Sequence, residues 1–207
     1  RAFARRRRIR VFAARWRRAS SHDQRVRRQI WSSRFTAPGT GGLFVMVEPQ
    51  VMQDMVGMDG LVFLPFNSSH LSRIGLAQED QVVFESLRDI DERLDSIEES
   101  QCAWTIFYQG KPALCYGFEY KWDGVIEAWL LPGNLSLRHG VLLSRGARRL
   151  FDKIGPHLGL HRLQIVVDVN REKAVQWASF LKFEREGLMR RYGPEGHDYY
   201  MYARLYT

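Results

Sequence analysis

Glu127 is the one carboxylate in an otherwise apolar run, Val125-Ile-Glu-Ala-Trp-Leu-Leu131. A carboxylate set among Ile126, Ala128 and Trp129 is suited to take a proton from a reacting group. The same side chain, alternating onto a wet face, would do nothing. Directly after it, Pro132-Gly-Asn-Leu-Ser-Leu-Arg-His-Gly140 reads as a loop entering a helix. A helix start collects unpartnered N–H groups and so suits an anion, and Arg138 and His139 add cationic side chains there. The reading that Gly140 is only a tight spot at a helix start stands beside this one. Tyr192, Tyr199, Tyr200 and Tyr202 fall near the C-terminus, where one phenol can give a proton, although alternate tyrosines on a strand also simply pack. His70, His139, His157, His161 and His197 show no metal-ligand spacing among themselves or with Cys102 and Cys115. The two cysteines read as small buried hydrophobes, not as a disulfide framework.

The elements that must position these groups follow from periodicity and turn residues. Leu61 to Phe66 is a short apolar strand, with Ser68 or Ser69 as a helix cap after it. Gln78 to Ser100 reads as a helix, because Val83, Leu87, Ile90, Leu94 and Ile97 recur at helical spacing. Ala103–Tyr108 and Ala113–Tyr120 flank the tight-turn pair Gln109-Gly110, and Trp122-Asp-Gly124 turns the chain into the Glu127 strand. Leu143, Ala147, Leu150 and Ile154 line one face of the next helix, which Gly155-Pro156 stops. Leu163 to Val169 is a strand, Asn170 caps a further helix, and Phe183 to Leu205 is a hairpin turning at Gly193-Pro-Glu-Gly196. A strand, crossover helix and strand over 125–169 require parallel pairing. The rest is antiparallel. The fold class is therefore α/β: a mixed, mostly antiparallel sheet with a central parallel β-α-β and helices on both faces.

The run Asn170-Arg-Glu-Lys-Ala-Val-Gln-Trp-Ala-Ser-Phe-Leu-Lys-Phe183-Glu-Arg-Glu-Gly187-Leu-Met-Arg190, followed by the final hairpin, resembles the C-terminal half of the GCN5-related N-acetyltransferase (GNAT) superfamily. The element order resembles that superfamily from about residue 61 to 205. The resemblance implies the acyl-coenzyme A N-acyltransferase fold, acetyl-CoA as cofactor and acyl transfer to an amine, on a protein or a smaller molecule. It implies Glu127 as the base. It places the cofactor beside Trp129, Leu131 and Asn170, with its phosphates at Leu135, Arg138, His139 and Gly140. Leu135 and Arg138 depart from the family's glycine-loop pattern. Ala178 stands where many members have an acidic Tyr, so Tyr199 is the substitute proton donor. Lys182 replaces the Gly of a Gly-Phe pair, at about 1 kcal/mol if it is left-handed. Glu186-Gly187-Leu-Met-Arg190 and Gly196-His-Asp198-Tyr are similar to ribosomal-protein alanine acetyltransferases and to acetyltransferase-like proteins of tailed bacteriophages. The second likeness implies the alternative of a catalytically degenerate scaffold acting as an internal virion or interaction protein.

Charge divides the chain at residue 45. The whole sums to +8. Residues 1–45 hold 13 Arg, no Lys and one acid, Asp23, for +12. That leaves 18 basic and 22 acidic residues, and so −4, to a GNAT-like domain over 46–207. Three readings of the Arg-rich extension stay open: a basic arm on nucleic acid through residues 1–35, a transit peptide, or peptide read through from upstream GC-rich DNA. Thr36 to Gly42 reads as a flexible joint. No apolar run approaches the roughly 20 residues that span a bilayer, so the expectation is a soluble cytoplasmic protein without a membrane partner.

Overall fold

The computed structural model describes residues 47–76, 80, 81 and 89–207, together with the backbone at 35, 36, 43 and 44. The chain divides into the units Arg1–Val45 and Met46–Thr207. In the first, Phe35–Thr36 and Leu43–Phe44 pair antiparallel. The readings of residues 1–34 and of the Thr36–Gly42 joint otherwise lie outside the described residues.

The second unit is built on one seven-stranded sheet. Its strands are β1 (Leu61–Pro65), β2 (Ala103–Tyr108), β3 (Lys111–Trp122), β4 (Val125–Pro132), β5 (Arg162–Asp168), β6 (Glu184–Met189) and β7 (Tyr199–Leu205). They lie in the order β1-β2-β3-β4-β5-β7-β6, and only β4 and β5 run parallel. The α-helices whose bounds lie within the described residues are α1 (Pro49–Val56), α2 (Leu71–Ile74), α3 (Ile90–Ser100), α4 (Asn134–Arg138), α5 (Gly140–Leu158) and α6 (Glu172–Phe180). This is the mixed, mostly antiparallel sheet with a central parallel pair that the residue pattern implies.

Strand alternation sorts the core into two layers. Trp104 stacks on Tyr116, Phe118 meets both rings edge-on, and the Tyr116 hydroxyl donates to Met52 of α1. Phe66, Ile74, Ala103 and Cys115 pack on the other face with Leu94, Ile97, Trp129 and Leu131. Burying each large side chain contributes about 2–3 kcal/mol. Helix α1, which the sequence pattern does not announce, is closed by cations from α5. Lys153 donates to the Met55 carbonyl at 2.8 Å, and Arg149 to those of Val56 and Gly57 at 3.2 Å. Positive charge at a helix C-terminus is favourable.

Several local expectations are overturned. No unbroken helix crosses Asp89, whose φ of 52° is left-handed and starts α3; Val83 and Leu87 lie outside the described residues. Asn67, not Ser68 or Ser69, caps the turn at Ser68–His70, accepting from the Ser69 N–H. Gly155-Pro156 does not stop α5, which continues to Leu158 and ends at left-handed Gly159. Gly155 instead gives room to the Tyr206 ring, which a Cβ there would meet at 2.3 Å. Asn170 does not cap α6: Arg171 holds that position, and the N–H and amide of Asn170 both donate to Asp168. The stretch expected as an open loop after Pro132 coils into α4.

Candidate active site

Strands β4 and β5 are neighbours for three residue pairs only, Val125–Arg162, Ile126–Leu163 and Glu127–Gln164. Beyond Glu127, β4 stays paired with β3 as far as Leu114–Pro132. Past Gln164, β5 stays paired with β7 as far as Asp168–Tyr199. Neither strand stops, so the sheet forks at Glu127–Gln164 and opens toward the C-terminal ends of both strands.

The ladders fix which backbone groups face the fork. Gly133 donates to the Ala113 carbonyl at 2.9 Å, and Arg162 to the Gly124 carbonyl at 3.1 Å. Antiparallel strands turn alternate residues toward each neighbour. Trp129 and Leu131 therefore bond to β3, while the Leu130 N–H and carbonyl and the Ala128 carbonyl turn toward β5. By the same count, from Val169 donating to Asp198 at 3.1 Å, Val166 turns its backbone toward β4. Such an edge can take an extended, amide-bearing chain as an added strand. Sequence reasoning named Trp129 and Leu131 and missed Leu130, Ala128 and Val166; counting register from the Gly124 turn would have found them. The Trp129 ring fills the space over Gly117, where a Cβ would meet it at 2.5 Å, and stands edge-on to Phe66. Its side chain is packing, as is that of Leu131.

Glu127 sits at the apex. Its side chain is 17% exposed. The Gln164 amide donates to its Oε2 at 2.8 Å, and the Lys121 ammonium lies 3.6 Å from its Oε1. By alternation it shares a face with Trp129 and Leu131, the face that α2 and α3 cover.

At the mouth, α4 uses its own N-terminal donors. Asn134 donates to the Gly75 carbonyl, and Ser136 and Leu137 to that of Gly133. Gly133 is irreplaceable by contact, since a Cβ would lie 2.4 Å from the Ile74 carbonyl oxygen. The Leu135 carbonyl accepts from His139, so it serves α4. Arg138, His139 and Gly140 come together where α4 ends and α5 begins. The first turn of α5 leaves the N–H groups of Gly140, Val141 and Leu142 without intrahelical partners. A Cβ on Gly140 would meet nothing within 4 Å, so crowding does not account for the glycine. The His139 ring leans on Tyr108 at the end of β2, centroids 4.8 Å apart; no feature of the sequence signals that contact.

Tyr199 stands opposite Asp168, four strand residues beyond Gln164, or roughly 13 Å from the apex. The structure does not bring it to Glu127. Burial, followed by the nearby charge of Asp168, raises its pKa and keeps the phenol protonated. Asp168 also faces His197 Nδ1 at 3.4 Å and orders Asn170, and Arg171 pairs with Asp80. Ala178 is fully buried, and its neighbour Trp177 donates its indole N–H to Ser144 of α5 at 2.8 Å. Burial pushes the Cys102 thiol up to about 12 and Cys115 to about 11. Neither is set up as a nucleophile. Among the described residues, no three His, Cys, Asp or Glu side chains converge as a metal site, and no helix is long and apolar enough to cross a membrane.

No protein-family model matches the chain, and no curated protein matches it in sequence. Solved structures do. An acetyltransferase of the GNAT family from Bacillus anthracis aligns at 13% identity with a TM-score of 0.57, covering 71% of this chain and 95% of that one. The microcin C7 self-immunity acetyltransferase MccE, solved with acetyl-CoA and AMP, aligns at 16% identity and TM-score 0.57 over 72% and 94%. An acetyltransferase from Salmonella typhimurium that modifies the N-terminal serine of ribosomal protein L7/L12 aligns at 16% and 0.55 over 72% and 97%. At these identities the likeness establishes the fold, and this chain has the acyl-coenzyme A N-acyltransferase fold of the GNAT acetyltransferases.

Proposed function

We propose that the protein is an N-acetyltransferase of the GNAT superfamily that moves an acetyl group from acetyl-CoA to a primary amine. The observation that carries this reading is the fork between β4 and β5, whose β4 edge presents Leu130 and Ala128 to an amide-bearing arm. Arg138, His139 and the first-turn N–H groups of α5 would hold the diphosphate at the mouth. Bound acetyl-CoA supplies an acyl group on a good leaving thiol. Glu127 receives the proton that the acceptor ammonium gives up, and Gln164 holds that carboxylate in place. Because an ordinary thiol has a pKa of about 8.5, its thiolate leaves readily without a strong dedicated acid. The alanine at 178 is therefore no obstacle. Tyr199 is too far from Glu127 to serve the same reacting centre, and we assign it to the acceptor at the mouth. A protein N-terminus or lysine is the acceptor class that suits an open fork. The L7/L12-modifying neighbour, with its N-terminal serine acceptor, supports that choice.

One feature favours a second reading, a scaffold that has kept the fold without transfer: α4 spends the donors an open glycine loop would offer. Titrating acetyl-CoA while following thermal unfolding separates the two. A ligand at 100 times its Kd stabilises by about 2.7 kcal/mol. The enzyme reading expects a saturable rise in melting temperature and thiol release with added amines. No shift at millimolar acetyl-CoA leaves only the scaffold.

A further inference from the structure

Lys121 breaks the register of β3. Tyr120 pairs with Ile126 and Trp122 with Val125, so Lys121 is the extra residue of a bulge. A bulge re-aims a side chain and is common beside active sites. The re-aimed ammonium sits 3.0 Å from Glu119 Oε2 and 3.6 Å from Glu127 Oε1. Its side chain remains one-third exposed. A primary ammonium is thus lodged on the carboxylate that receives the acceptor's proton, at the last closed pair before the fork. Any acceptor amine has to take up the same relation to Glu127. Burial works against the Lys121 charge, but the hydrogen bond to Glu119 and the charges of Glu127 and Glu119 outweigh it and hold the ammonium above its ordinary pKa. The other lysines have no such partner at the apex: Lys153 donates to the α1 carbonyl of Met55, and Lys182 pairs with Asp152.

On the acetyltransferase reading above, we propose that Lys121 is itself an acyl acceptor, so that the chain acetylates its own Nζ. Glu127 takes one proton from the Lys121 ammonium. The freed Nζ lone pair forms the N–C bond to the thioester carbonyl, and the C–S bond breaks with its electron pair on sulfur. The second nitrogen proton neutralises the thiolate. The products are an acetamide on Lys121 and free coenzyme A thiol, and Glu127 returns its proton to water. Acetylation removes the charge between Glu119 and Glu127 and opens Oε1 to an incoming amine.

The sequence has five lysines, 111, 121, 153, 173 and 182, so peptide mass mapping reads each one separately. The full chain is incubated with acetyl-CoA or with a small acetyl ester of N-hydroxysuccinimide. With acetyl-CoA, Lys121 should be acetylated at least tenfold faster than the other four, and Glu127→Gln should abolish that excess. With the active ester, Lys121 should be no faster than the rest, because it is held charged. In the chain without cofactor, the Lys121 Nζ titration followed by NMR should lie above that of the other lysines and fall back in Glu127→Gln. Saturable acetyl-CoA binding with no excess at Lys121, or an excess that survives Glu127→Gln, overturns the proposal and leaves the acetyltransferase reading intact. So does an ordinary Lys121 titration that Glu127→Gln does not change. Absence of acetyl-CoA binding overturns both.

Discussion

The assignment of Leu130 to the fork and Leu131 to the ladder is tested by moving one proline by one residue. Proline removes a backbone donor and fixes φ near −65°. At Leu131 the lost donor is the one that bonds to Cys115 across a central ladder. Losing it and stranding a buried carbonyl costs about 3 kcal/mol or more. At Leu130 the lost donor faces the fork, so the ladder to β3 survives. Pro132, two residues along the same edge, shows that a proline of this parity is accommodated there. The remaining cost is part of one half-buried side chain, about 1 kcal/mol, and Leu130→Ala measures it separately. The effect expected from Leu130→Pro is on the ligand. One hydrogen bond to an amide of the cofactor arm contributes about 0.5–1.5 kcal/mol, so Kd for coenzyme A should rise roughly two- to twelvefold relative to Leu130→Ala. Urea unfolding and calorimetric titration read the two effects. Greater destabilisation at Leu130 than at Leu131 would show that the alternation runs the other way. The expected stability contrast with unchanged coenzyme A affinity would show that the β4 edge takes no ligand.

Local geometry sets three further outcomes. Gln109 and Gly110, with φ of 50° and 75°, form the turn between β2 and β3, which favours Asn-Gly; Gln109→Asn should stabilise the fold by about 0.5–1 kcal/mol, read by thermal unfolding. Lys182 is left-handed, with φ of 64°, at the end of α6. Lys182→Gly relieves about 1 kcal/mol and forfeits an exposed pair with Asp152 worth a few tenths, so a net gain is expected and a net loss would mean the pair outweighs the strain. Burial, then the charge of Arg73, lowers the pKa of His70, against a smaller opposing pull from Glu98, and its Nδ1 meets Thr105 Oγ1 at 2.9 Å. A depressed histidine contributes stability that is full above its unfolded pKa of about 6.5 and lost as pH falls through the folded value. Unfolding free energy should therefore drop on acidification below pH ~6.5, and less so in His70→Gln.

The element order from Leu61 to Leu205 was legible because each strand is bounded by a turn residue that does a specific job, Gln109-Gly110 and Gly124 above all. The left-handed strain at Lys182 was legible from the missing glycine. The features that stayed hidden depend on tertiary partners. Helix α1 is eight residues long and is completed by Lys153 and Arg149 from nearly a hundred residues away. The break at Asp89 falls inside a good apolar repeat, and periodicity does not register one left-handed residue. Pro156 continues α5 because it sits in the last turn, where Gly159 and Leu160 fold back on Pro156 and Gly155. In the site, residue type pointed to Glu127. Residue type alone could not say which of Trp129, Leu130 and Leu131 shows its backbone to the fork, because all three are apolar; that parity has to be counted from the Gly124 turn.

The mouth of the fork raises a physical problem that the sequence departures at Leu135 and Arg138 create and the structure partly resolves. A glycine loop binds phosphate with many backbone donors at close approach. Here Gly133 is consumed by its contact with the Ile74 and Ala113 carbonyls, and Asn134 by its bond to Gly75, which ties α4 to α2. The groups left over are the first turn of α5, an uncrowded Gly140, the Arg138 charge and the His139 ring. Backbone donors keep their strength in salt far better than exposed side-chain charges do. Diphosphate binding at this mouth should therefore lean on Arg138 and weaken steeply with ionic strength. Arg138→Gln should lower coenzyme A affinity most at low salt and converge with the unaltered chain at high salt. A salt-independent deficit would place the loss in the backbone cradle instead.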